Sequence, residues 1–413
     1  MTTTTMTTTT MMTTTTTTAA AAAAAATSCE AGRAPSIERR SAAPRDRCQR
    51  GAVNEDGGMC DKCVIGYWVP EKKRQKFNWT DFENICESEG FRLKMIDVNL
   101  SLEKQGPLHV FIHKLTDMQS HAESGDKNAE DIVSRLQEYI AKHPDLIVID
   151  PLDNIRNLSN RFKSYEFIQE GIQFKDIFTP NFVEIKSSNV HEIALTLKKR
   201  DIKYPFVCKP LIAYGSSNAH KMMIIFNERG LKDCQLPCVA QDFINHNAIL
   251  YKLFVVGDRF YVVERPSFKN FYQEDCNSLS TIFFNSHDIS KSCSRSKWSI
   301  LSEEDIPLTV KPNHKIFERI VKNIREIFGL ILVGIDVVIE NHTGKYGIID
   351  VNVFPGYDGY PNFFEHLIDS IKKLLIEREV CRQNSKGCTL KKCQSDDLDS
   401  GFESDEKRKC STK

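Results

Sequence analysis

Two β-rich apolar runs, GIDVVIE and YGIIDVNVF, flank the polar pentapeptide NHTGK between Gly334 and Phe354, and no other feature constrains the chain as tightly. Runs of this composition joined by turn-forming residues predict an antiparallel hairpin. A five-residue loop over Asn341–Lys345 sets Glu340 opposite Tyr346, and counting back sets Asp336 opposite Asp350. Side chains alternate along a strand, so Asn352 shares that face. Carboxylates directly opposite destabilise a sheet, and two sharing one site resist joint ionisation unless a cation intervenes. Hard oxygen donors of this kind suit magnesium bridging the phosphates of a nucleotide. A four-residue loop would turn one aspartate to the other face, and the bland alternative is a pair of solvent-facing strand residues.

The 413 residues, 41% of them apolar, allow two or three domains with sizeable cores. Lys plus Arg and Asp plus Glu each total 55, so no global field favours nucleic acid or an acidic membrane as partner. Fourteen cysteines scattered through a chain of this size, some inside apparent strands such as Cys208 and Cys238, fit a reducing cytoplasm. Cys60 and Cys63 form a CxxC with Cys48 upstream, but no second pair follows to complete a zinc site. The Thr/Ala-rich start lacks the basic and apolar regions of a secretory signal; residues 1–62 are expected to form a disordered extension. The Arg/Ser-rich stretch GRAPSIERRSAAPRDRCQR raises organelle targeting as an alternative, weakened by Glu38 and Asp46. Residues 379–413 are read as a charged disordered tail. No apolar run approaches the roughly 20 residues that span a bilayer.

Between these ends, VIGYWV, FRLKMIDV, HVFIHKL and DLIVID read as strands, with helices over 81–89 and 126–143. This order predicts a small open α/β unit with a mostly parallel sheet over residues 63–155. From Arg161 onward, strands joined by short turns interleave with helices, which predicts α+β packing over residues 156–378, ending in a helix over 362–377. Within it Lys209 ends the strand PFVC, and Gly215, Ser216 and Ser217 follow in a loop whose backbone N–H groups suit phosphate oxygens. The loop joins two strands, so it is no Walker P-loop, and an ordinary hairpin with a surface lysine is as good a reading. Gly257-Asp258 forms a two-residue turn that pairs Val256 with Arg259, so Lys252 and Arg265 share a face. Such strand cations are usually solvated, and Lys73, Lys114, Arg156 and His220 are unremarkable singly.

Taken in order, GYWVPEKK, QGPLHVFIHKLTD, DPLDNIRNLSNRFKSYE, FVCKP, VAQDFINHNAILYKLFVVG, VVERPSFKNF, FFNSHDISK, GIDVVIE and IIDVNVFPGY resemble the inositol-tetrakisphosphate 1-kinase family, also called inositol trisphosphate 5/6-kinases. The resemblance runs from about Gly66 to Leu375. It implies an ATP-grasp fold, mixed α/β and α+β, with a pre-ATP-grasp domain ahead of it. It also implies Arg156, Lys209, Gln241, Lys252, Ser267, Ser286 and Ser290 as ATP contacts, and Asp336, Asp350 and Asn352 as ligands of two magnesium ions. Lys73, Lys114, His220, Lys252, Asn352 and Gly356 match positions that hold the inositol polyphosphate, with His220, Lys252 and Asp350 nearest the chemistry. The loop GSSNAHKM departs from the family pattern at Asn218-Ala219, where a Ser usually precedes the His.

The resemblance implies transfer of the ATP γ-phosphoryl group to an inositol hydroxyl. The acceptors are inositol 3,4,5,6-tetrakisphosphate at the 1-position and inositol 1,3,4-trisphosphate at the 5- or 6-position. Some members also run the reaction backwards. The expected protein is a cytoplasmic monomer with a small-molecule partner. The rivals are an ATP-grasp carboxylate–amine ligase and a non-catalytic inositol-phosphate binder. The basic set around Lys73 and Lys114 weighs against the first, and the Asp336, Asp350 and Asn352 set against the second.

Overall fold

The computed structural model describes residues 62–292, 294–301 and 311–392. The extension expected over residues 1–62, Cys60 included, lies outside them apart from Lys62. Four strands open the fold: β1 (Cys63–Trp68), β2 (Phe91–Met95), β3 (Val110–His113) and β4 (Ile147–Ile149). They form one sheet in the order β2-β1-β3-β4, every pair parallel, as the sequence predicts. The helix Lys127–Lys142 covers it because Ala129, Ile132, Val133, Leu136 and Tyr139 fall on one face. The Asp126 carboxylate accepts from the N–H groups of Asn128 and Ala129 and caps its start. Cys63 stays a free, half-buried thiol in β1.

The remaining strands build two five-stranded sheets. They are β5 (Ile177–Phe178), β6 (Phe182–Ile185), β7 (Phe206–Pro210), β8 (Lys221–Ile225), β9 (Cys238–Asp242), β10 (Ile249–Val256), β11 (Arg259–Pro266), β12 (Ile282–Asn285), β13 (Leu332–Ile339) and β14 (Tyr346–Val353). One sheet runs β12-β8-β7-β9-β6, antiparallel throughout. The other runs β11-β10-β13-β14-β5, antiparallel except for the short β5 edge. The helix His314–Phe328 buries Phe317, Ile320, Val321, Ile324 and Phe328 in the core behind this second sheet. Each such side chain contributes about 1.5–3 kcal/mol relative to exposure. Asn313 caps the helix, and Gly329 stops it in a left-handed conformation at φ 61°.

One element departs from expectation. The last helix runs Phe363–Lys392, well past residue 377 and into the stretch read as tail. Its later part carries charges that dock on the first domain: the Arg382 Nε donates to the Asp145 carboxylate at 2.9 Å, and Arg378 to the Pro144 carbonyl. A disordered-looking composition is thus held by a surface that sequence pattern does not reveal. Residues 393–413 lie outside the described set. Among the described residues no helix is long and apolar enough to cross a membrane.

Candidate active site

The hairpin β13–β14 pairs Asp336 with Asp350 and Gly334 with Asn352, so the three oxygen-bearing side chains share a face. The route to that register differs from the expected one. Ile339, not Glu340, pairs with Tyr346, and the connection spans residues 340–345. Continued without interruption, this ladder would set Ile349 opposite Asp336. Instead the register shifts between Asp336 and Val337, leaving Ile349 without a partner as a β-bulge, and Asp350 returns to its place opposite Asp336.

The bulge is held from the other sheet. The Lys209 Nζ, at the end of β7, donates to the Ile349 carbonyl at 2.7 Å, and the buried Tyr165 hydroxyl donates to the same oxygen at 3.0 Å. Lys209 Nζ also lies 3.0 Å from the Tyr165 hydroxyl and donates to the Gln241 Oε1 at 2.7 Å. In the antiparallel pair β7–β9, Val207 faces Gln241, so Lys209 and Gln241 share one face. Burial pulls the Lys209 ammonium down to about 8, against the opposing effect of Asp350. The Gln241 Nε2 is buried with no partner among the described residues.

Across β10–β13, Lys252 pairs with Asp336, which sets Lys252, Asp336 and Asp350 in one cross-strand row. The Lys252 Nζ lies 2.9 Å from both Asp336 carboxylate oxygens. For Asp336 a neutralising cation thus lies within the chain itself. Burial nevertheless raises the Asp336 carboxyl, with Lys252 opposing. Behind Asp350 stands Arg161, 2% exposed, its Nε 4.0 Å from a carboxylate oxygen and without a hydrogen-bond partner. Its other nitrogens donate to the carbonyls of Pro210, Ile212 and Ala219, which shapes the loop after Lys209.

That loop joins β7 to β8, as expected of a hairpin. Its Gly215 N–H donates to the Asp117 carboxylate at 3.1 Å, and at φ 92° an added Cβ would meet the Ser120 side chain at 2.4 Å. The loop ends in a 3₁₀ turn, Ser217–His220, and the His220 ring lies against His287, centroids 3.9 Å apart and planes tilted by 34°. Burial, then His287, lowers His220 to about 4, so the ring is neutral at pH 7.

The other expected residues divide. Ser286 Oγ lies 3.5 Å from the His220 Nδ1, and Ser290 donates to the Ser286 carbonyl. The buried Ser267 hydroxyl sits 2.6 Å from the His246 Nε2. Lys73 and Lys114 reach across from the first domain, but to backbone: Lys73 donates to the carbonyls of Phe354 and Pro355, and Lys114 to those of Val353 and Phe354. Gly356 follows directly, with the Asp358 carboxylate 2.9 Å from where its Cβ would be. Arg156 stands apart; its guanidinium is held by Glu123 at 3.2 Å and Asp153 at 3.0 Å. Arg265 shares the face of Lys252, as expected, and donates to the Asp358 carbonyl.

Sequence reasoning missed Arg161, Tyr165 and His287. Arg161 carried one faint signal, a cation at the first position of the helix Arg161–Gly171, where the helix dipole disfavours it. The others look like ordinary core or surface residues until the sheets assemble.

Two carboxylates, an amide oxygen and an orphaned buried amide donor fit a magnesium-bound nucleotide between the sheets. Family models match both parts of the chain. The inositol 1,3,4-trisphosphate 5/6-kinase ATP-grasp domain matches residues 172–373, and the pre-ATP-grasp domain of the same kinases matches residues 64–155. The chain is an ATP-grasp kinase. It is 41% identical over 314 residues to an inositol-tetrakisphosphate 1-kinase of Xenopus laevis, covering 75% of this chain and 78% of that protein. It is 40% identical over 323 residues to one of Danio rerio, covering 77% and 80%. It belongs to the inositol 1,3,4-trisphosphate 5/6-kinase family. Among solved structures, a RiPP-associated ATP-grasp ligase of Chryseobacterium gregarium superposes with TM-score 0.49 at 13% identity over 76% of this chain and 97% of that one, a likeness too weak to add to this.

Proposed function

We propose that the protein transfers the γ-phosphoryl group of ATP to a ring hydroxyl of inositol 3,4,5,6-tetrakisphosphate at the 1-position and of inositol 1,3,4-trisphosphate at the 5- or 6-position. The single observation that carries the site assignment is the row Lys252–Asp336–Asp350 lying next to the Lys209-held bulge. A new bond forms between the acceptor oxygen and the γ-phosphorus, the bond to the β-phosphate oxygen breaks, and the hydroxyl proton is released. Such a reaction needs positioning and charge stabilisation more than covalent help.

Asp336, Asp350 and Asn352 would hold two magnesium ions, which when bound offset charge on the phosphates and orient them. Lys209 supplies a buried cation to the ATP phosphates, and Gln241 offers its unpartnered Nε2 to the nucleotide. Ser267, Ser286 and Ser290 line the nucleotide side, and Arg156 joins them once it leaves Glu123 and Asp153. Lys252 stands between the carboxylate row and the acceptor. His220 is a neutral positioning group. Lys73 and Lys114 order the Val353–Pro355 carbonyls that lead to Gly356, and through them the acceptor wall. Residues 63–155 and 156–378 act as the two domains. A monomer in a reducing cytoplasm is the accompanying reading; the free, buried thiols of Cys86, Cys208, Cys238 and Cys276 fit the reducing compartment.

The test is incubation with magnesium, labelled ATP and a panel of inositol tris- and tetrakisphosphates. A labelled pentakisphosphate or tetrakisphosphate is the expected product, lost in Asp350→Ala. A wild-type blank identical to the Asp350→Ala blank would sink the kinase reading. Label trapped in an acyl-phosphate would point to a ligase, and binding without transfer to a non-catalytic protein.

A further inference from the structure

Lys73 and Lys114 are poor partners for a phosphate as they stand. Both ammonium groups are engaged by the Val353–Pro355 carbonyls, and burial, with Lys114 and Lys76 nearby, lowers Lys73 to about 5. An acceptor with three or four phosphates needs cations whose charge is not already engaged. Among the described residues Lys76 makes no ion pair, and its exposed side chain leads across the first-domain wall. Its Nζ lies 3.8 Å from the position that a Cβ on Gly356 would occupy, above the turn that closes the acceptor side.

His287 faces this group from the opposite wall. It belongs to the short helix Ser286–Ile289, lies against His220 with the rings tilted by 34°, and is exposed. Three ammonium groups act on its ring, Lys252 from the ATP-grasp domain and Lys76 and Lys72 from the first domain. Asp288, the carboxylate that acts in the opposite sense, is paired with Lys291 at 2.6 Å. Lys252 is paired with Asp336, but Lys76 forms no ion pair with the Asp358 carboxylate that also lies beside Gly356, and its unpaired charge facing His287 favours an anionic ligand.

We propose that Lys76 and His287 form the two sides of an acceptor-phosphate subsite, which takes one phosphate of the inositol polyphosphate between the domains. The subsite rests on the kinase reading above and extends its substrate contacts. It also gives the interdomain contact a role, since a ligand held from both walls is bound only when Lys76 and His287 face each other.

Steady-state kinetics on the full chain test it, with Lys76→Ala, His287→Gln, the double variant, and Lys127→Ala as a control on an exposed first-domain lysine. Each single variant should raise the acceptor KM about tenfold while kcat and the ATP KM stay within about twofold. The double variant should fall short of the product of the two, because both contacts serve one phosphate. Lys127→Ala should leave the acceptor KM unchanged. An unchanged acceptor KM in either single variant, or a fully multiplicative double variant, overturns the proposal. A wild-type protein that labels no inositol phosphate instead overturns the kinase reading, so the two failures are distinguishable.

Discussion

The Lys209 ammonium lies 2.7 Å from the carbonyl oxygen of Ile349, the residue of β14 that has no partner opposite it. A side chain of one sheet thus holds the irregularity that sets the carboxylate register in the other. On the function proposed above the lysine would serve two purposes, a cation for the nucleotide and a clamp on the carboxylate face.

Lys209→Met should therefore damage both fold and chemistry. It leaves the Ile349 carbonyl with one donor instead of two and strips the Gln241 Oε1 of its partner, costing about 1–3 kcal/mol per unsatisfied group, and turnover should fall at least about 100-fold. Tyr165→Phe removes the second donor to Ile349 and one acceptor of Lys209, but leaves the Lys209–Ile349 bond, and should cost about 1 kcal/mol with a modest rise in the ATP KM. Urea unfolding with parallel kinetics separates them; equal losses in the two variants would refute the clamp.

Register depends on the bulge and its donors more than on the connection at 340–345. Inserting one alanine between the exposed His342 and Thr343 should leave kcat/KM within about threefold, since exposed loop tips tolerate insertion. A loss of 100-fold or more would return control of the register to the loop.

Lys252 and Asp336 form a largely buried pair, their side chains 20% and 14% exposed. Lys252→Met leaves a carboxylate without its cation and should destabilise the protein by about 2–3 kcal/mol, less than a fully buried pair because water reaches it. Asp336→Asn should cost less stability yet abolish turnover and the thermal shift given by magnesium-ATP. Calorimetric melting of both variants with and without nucleotide decides this; an unchanged melting point in Lys252→Met would count against the pair.

Acid should weaken the fold through buried imidazoles. Burial lowers His246 to about 4 from its ordinary 6.5, so the unfolded chain binds a proton first as pH falls. Its contribution is complete above about pH 6.5 and is lost toward pH 4, up to about 3 kcal/mol. Buried His113 acts in the same direction, while Asp150, raised by burial to about 6, partly offsets one of them. His246→Gln, which retains polar groups for Ser267, should flatten the stability profile between pH 6.5 and 4.5. A profile parallel to wild type would refute the assignment.

Much of this was legible before the chain was folded. Alternating apolar residues in IIDVNV, the Gly257-Asp258 turn and the apolar face of the helix Lys127–Lys142 are local patterns, and local sterics and burial decide them. The ordered motifs likewise determined the family and the ATP-grasp class. Only the tertiary structure decided that Ile349 would bulge, that Lys209 would cross between sheets to hold it, and that Lys73 and Lys114 would bind carbonyls. Each depends on atoms 140 to 282 residues apart in sequence, brought together by packing that no local period encodes. The sequence by itself placed Asp336, Asp350 and Asn352 on one hairpin; the assembled sheets supplied the charges around them, because a counterion's position is fixed by where neighbouring strands end.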